Sequence, residues 1–149
     1  MKKRTLIICV FLTYCAALTA VLFFRMSDGL GIGIAPAIER LKSGANLVPF
    51  DTVERYHRAY SAGSMRFVTY FLNIYGNILL FLPMGIMLPK LFPKVRRYIL
   101  FLAILSMTVL AELTQLLIGV GRFDVDDIIL NLAGAALPLI ILKKHRRRS

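Results

Sequence analysis

The chain has little of what soluble enzymes are built from. Its two histidines, His57 and His145, stand apart from any Ser and Asp partners, so no motif marks a nucleophile with its base. Its two cysteines, Cys9 and Cys15, fall in one apolar run, where about 9 Å of helical rise and opposed directions exclude a disulfide between them. They read as packing or lipid-facing residues. Acidic residues number eight against 19 Lys and Arg, for a net charge of +11. Internal repeats, low-complexity segments and a separate soluble domain are also missing, because the longest polar piece, 25–68, has too few apolar residues for a core of its own.

Apolar residues are abundant, at 58% of the 149 positions. They concentrate in residues 5–24, 69–88, 98–118 and 125–142. The first three stretches match the roughly 20 residues a helix needs to cross a bilayer core, and the fourth lies at the short end of that range. The fold expected is all-α: a single polytopic membrane domain over 1–149 with four transmembrane helices. Of the basic residues, three lie in 1–4, four in 89–97 and five in 143–149. All twelve fall on one side of an even-numbered bundle, so the positive-inside rule puts both termini in the cytoplasm. Seven of the acids then lie on or near the outer side, while Glu112 is inside the third span.

The basic tail, Lys143 to Arg148, directly follows a span and reads as a topology signal resting on anionic inner-leaflet lipid; no nucleic-acid partner is expected. The first span has the basic start of a signal peptide, but its length and the apolar continuation past Ala20 favour an uncleaved anchor. Leu12, Thr13, Tyr14 and Cys15 faintly resemble a lipoprotein signal, and the bulky Tyr14 argues against processing. In the long loop, Pro36 to Lys42 suits a helical turn, and Asn46 to Phe50 should be extended because Val48 precedes Pro49. Asp51 and Glu54 have the spacing of a capping box opening a short helix to about Ala62, stopped by Gly63. Val53, Tyr56 and Tyr60 share one face of it, which suits a helix at the outer interface.

Polar residues within the spans are costly, and here they are grouped. Asn73 and Asn77 are one turn apart, Glu112 and Gln115 three residues apart, and Asp124, Asp127 and Asn131 follow an i, i+3, i+7 pattern. All converge on the outer half of the membrane; the inner half is almost purely apolar. Asn73 and Asn131 have an equally good reading as interhelical glue. Glu112 is either functional or one half of a buried pair with Arg122, the nearest cation in the sequence. Asp124, Asp126 and Asp127 suit a helix amino terminus, where they cap free amides. They are also the only plausible metal ligands, although no full ligand motif is present and no cofactor is expected. Pro83 and Pro138 should kink their spans, freeing the carbonyls of Leu79 and Gly134, and Gly134 to Ala136 should allow close helix approach.

Four strings, NLVPFDTV from Asn46, GNILLFLPMG from Gly76, AELTQ from Ala111 and GRFDVDDIILNLAGA from Gly121, together closely resemble the VanZ-like family of small bacterial membrane proteins. The match covers about two thirds of the chain, roughly 45–140. The family is named for a component of a glycopeptide-resistance cluster linked to teicoplanin, a lipid-bearing antibiotic that acts outside the cytoplasmic membrane. The resemblance therefore implies a multi-pass protein of the cell envelope with a part in teicoplanin resistance.

The two lines together lead to a binder: an outward pocket for an amphiphile such as a lipid-linked envelope precursor or the lipoglycopeptide. Asn77, Glu112, Gln115, Arg122, Asp124, Asp127 and Asn131 would line its head-group end, with Arg122 the partner for phosphate or carboxylate. The alternative is a membrane enzyme acting on a lipid-linked phosphate or peptidoglycan precursor, with Glu112 as general acid or base. Transport is a third reading, and four short spans without a polar path would require a homo-oligomer for it.

Overall fold

The computed structural model describes residues 2–24 and 32–142. The basic tail, Lys143 to Arg148, lies outside the described residues. Those described form six helices: α1 (Lys2–Phe24), α2 (Ile34–Gly44), α3 (Asp51–Ser61), α4 (Phe67–Leu91), α5 (Arg97–Ile118) and α6 (Val125–Ile141). Their only extended pairing is a single parallel bridge between Asn46 and Asp124. Three of the helices, α1, α4 and α5, are long and apolar enough to cross a membrane. The fourth apolar stretch forms α6, a helix of 17 residues.

Most of the helix ends have local causes. Phe92 stands before Pro93, which disfavours further helix, and α4 stops there. Gly119 takes the left-handed conformation, φ 76°, and its amide returns to the Gln115 carbonyl to close α5. Asp124 caps α6, its side chain accepting from the Asp126 amide. The prolines do not interrupt the helices, since α4 continues through Pro83 and α6 through Pro138. Pro83 has no N–H for the Leu79 carbonyl. One residue further on, the Leu80 carbonyl accepts the Tyr14 hydroxyl at 2.7 Å, which ties α1 to α4.

The α4 and α6 pairing is the most extensive in the molecule. A Cβ on Gly85 would lie 2.0 Å from the Ala135 carbonyl oxygen, and one on Gly134 would lie 2.1 Å from that of Ile78. The two backbones therefore touch, as small residues permit between membrane helices. Asn77 meets Asp127 and, further along both helices, Gly85 meets Ala135, so α4 and α6 run in the same direction. Around the glycine contact lies the apolar core, with Leu18, Phe81, Met84, Ile104 and Leu139 buried together. Outside it, Leu72, Leu79, Leu110, Leu137 and Ile140 are exposed. A protein in water would not leave so many large apolar side chains uncovered, and lipid accounts for them.

The segment between α1 and α4 is more ordered than its composition suggests. The expected turn at Pro36 to Lys42 extends into the full helix α2, which seats on the end of α5. There the Gly33 amide donates to the Leu117 carbonyl at 3.1 Å, and buried Arg40 donates through Nε to the Leu116 carbonyl at 3.2 Å. These are last-turn carbonyls with no partner inside their own helix. A capping box does not open α3. Its cap position is Phe50, in a left-handed conformation with φ 69° and no side-chain cap bond of its own. Asp51 and Glu54 instead form exposed ion pairs with Arg55 and Arg58 at 3.5 and 3.4 Å, a type that contributes little to stability. Tyr60 stacks on Tyr70 with ring centroids 4.9 Å apart, which holds α3 to the start of α4.

Candidate functional site

The site is built around the first turn of α6. Asp126, only 1% exposed, points away from its own helix and receives the amides of Phe50, Thr52 and Val53. One carboxylate from the far end of the chain thus caps α3, replacing the cap expected from Asp51. Beside it, Asp124 accepts from the Thr52 hydroxyl at 2.6 Å and from the Asn46 amide nitrogen at 2.9 Å. The backbones of Asn46 and its partners close the joint: the Asn46 amide donates to the Phe123 carbonyl at 2.9 Å, and the Val125 amide to the Asn46 carbonyl at 3.0 Å. The two segments are locked by about as many hydrogen bonds as a short sheet would make.

The three acids that sequence spacing grouped as metal candidates have separate protein partners: both oxygens of Asp126 accept backbone amides, Asp124 faces Thr52 and Asn46, and Asp127 accepts from Asn77 across the helix pair. Among the described residues no group of three or more His, Cys, Asp or Glu side chains could hold a metal ion.

Glu112 is 4% exposed. It is not paired with Arg122. Its Oε2 accepts from the backbone amide of Asp124 at 3.3 Å, while the Arg122 side chain is exposed and lies over Gly44, where a Cβ would meet its Cδ at 2.8 Å. The physical reason is the left-handed Gly119, which turns the chain out of α5 so that Arg122 leaves above α2 and Asp124 returns over the carboxyl group. Gln115, one turn beyond Glu112, donates to the Leu22 carbonyl at 2.8 Å and so joins α5 to the end of α1. Asn131 is 2% exposed, and its Oδ1 has no hydrogen-bond partner.

A cavity of about 340 Å³ lies among these groups. Asn77, Glu112, Gln115, Asp127 and Asn131 line it, joined by Asp124 and, at the rim, by Arg122. Thr52 and Tyr56 of α3, Val21 and Leu22 of α1, and Val120 and Gly121 of the α5–α6 turn form the remaining walls, together with Asn73. Sequence reasoning missed the part played by Asn46, Thr52 and Arg40. For Asn46 and Thr52 a signal was available, since both fall in the NLVPFDTV string. Arg40 left only a weak one, as a lone cation on the same face as Ala37.

A family model, VanZ/LLP1, matches residues 11–145. The chain belongs to the VanZ/LLP1 family. The match takes in α1 from Phe11 onward and all of α2 as well as the four strings, so the VanZ/LLP1 unit includes both the α1 wall of the cavity and the helix seated on α5. No curated protein and no solved structure matches the chain.

Proposed function

We propose that this VanZ/LLP1 protein is a four-span component of the bacterial cell membrane, with both termini cytoplasmic, α6 as its fourth crossing and α3 resting on the outer interface. Its cavity opens outward and receives the polar head of an amphiphile: a membrane lipid, a lipid-linked envelope precursor or a lipoglycopeptide. Through that binding it contributes to glycopeptide resistance, teicoplanin in particular, without catalysing a reaction. The observation that carries the reading is the convergence of Asn77, Glu112, Gln115, Asp127 and Asn131, from three helices, on one cavity. In hydrocarbon such a concentration of polar groups is a default mark of function. The orientation is supported by the basic 89–97 connection, which lies at the opposite end of α4 and α5 from the acids.

The test is expression in a glycopeptide-sensitive Gram-positive host, with teicoplanin compared against vancomycin, which lacks the lipid tail. Selective protection against teicoplanin is expected, and Glu112→Ala should abolish it at equal membrane abundance. Equal sensitivity with and without the protein, or full protection by the variant, would remove this function.

A further inference from the structure

Which chemical group the cavity takes follows from what its walls leave unsatisfied, and this inference rests on the head-group reading above. Among the described residues, three carboxyl groups line the cavity, Glu112, Asp124 and Asp127, against one guanidinium, Arg122. Glu112 shares this wall with Asp124 and Asp127, two further acids. Arg122 is exposed and leans over Gly44, so that guanidinium sits at the rim.

The amide side chains are turned toward protein acceptors. Asn77 donates to Asp127 and Gln115 to the Leu22 carbonyl. On the acceptor side, Glu112 has one long contact from a backbone amide, and Asn131 Oδ1, inside a residue 98% shielded from solvent, has none. The wall therefore offers acceptors and negative charge in a place where unmet acceptors are unfavourable. Its complement is a compact cation that carries several donors.

We propose that the cavity binds the primary ammonium group of an amphiphile, held by Glu112, Asp127 and Asn131 Oδ1, rather than a phosphate or carboxylate. A primary ammonium has three N–H donors and fits three acceptors around one point; a trimethylammonium has the charge without the donors, and a phosphate has neither. The apolar walls, Val21, Leu22 and Val120, suit the start of an alkyl chain. An ethanolamine lipid and an amino-sugar amphiphile share this chemistry.

The experiment uses the full chain purified in neutral detergent and titrated with dodecylamine, dodecyltrimethylammonium and dodecyl phosphate, with binding read by calorimetry. Dodecylamine should bind saturably at one site, at least tenfold more tightly than the trimethylated probe, and dodecyl phosphate should not saturate. The isosteric Glu112→Gln, which keeps the shape and removes the charge, should weaken dodecylamine at least tenfold. Short-chain phosphatidylethanolamine and an alkyl glucosaminide then separate the two sources, and saturable binding of either supports the amine. Equal binding of amine and trimethylated probe, or no loss in Glu112→Gln, would overturn it. Saturable dodecyl phosphate that is lost in Arg122→Gln would overturn the amine and keep the head-group pocket; failure of every probe to saturate would remove both.

Discussion

The two ends of the α4 and α6 pair are held together by different physics. At the end where α6 begins, Asn77 reaches Asp127, Asp126 gathers three amides of another segment, and a cavity remains with an unpaired acceptor in its wall. At the end where α6 finishes, Gly85 and Gly134 bring backbones into contact, and Phe81, Met84 and Ile104 fill the space around them. Its charged contributor is Arg97, which donates to the Leu139 and Leu142 carbonyls and so satisfies the last turn of α6. A hollow there, beside Tyr98 and Ile140, is lined by no acid among the described residues. Close packing needs shape alone, whereas the polar end depends on each donor finding its acceptor. The polar end is therefore where one acceptor can be left open for a guest.

The contrast can be broken by mutation. Gly134→Leu should do the most damage, because its side chain would meet the Ile78 backbone, which cannot yield as a flexible side chain would. A loss of about 3 kcal/mol or more is expected, since overpacking that flexible neighbours can absorb already costs roughly 1–3 kcal/mol. Thermal unfolding in detergent reads it, and a near-native midpoint would show that the helices can separate without penalty. Asp126→Ala comes next: three amides lose a charged acceptor, for a loss on the order of 3 kcal/mol. Limited proteolysis should then cut 46–53, and resistance equal to the parent would count against the cap. The smallest effect is expected of Asn131→Leu, which removes an acceptor that has no partner. Its stability should stay within about 1 kcal/mol of the parent or rise, and only binding should be lost. A fall as large as that of Asp126→Ala would mean that Asn131 is structural glue.

Helical spacing alone brought much of the site into view. Glu112 with Gln115, and Asp127 with Asn131, share faces because a helix repeats every 3.6 residues, and a membrane helix has few ways to depart from that. The turn between α5 and α6 was not legible in the same way. Arg122 is close to Glu112 along the chain, but a single left-handed glycine decides where its side chain goes, and spacing carries no sign of that direction. The capping box failed for a related reason. Asp51 and Glu54 have the correct separation, but a carboxylate 76 residues away from Phe50 supplies the bond, and a long-range partner leaves no local trace. The fourth apolar stretch shows the limit of counting length: its helix of 17 residues is as closely packed as any in the molecule.

The bridge between Asn46 and Asp124 makes one mechanical part of two stretches that are separated by the two longest helices of the α4–α6 bundle. Neither can be rebuilt alone. A change that unseats Asn46 also loosens the first turn of the last helix, and damage at both places should add up to less than the sum of its halves.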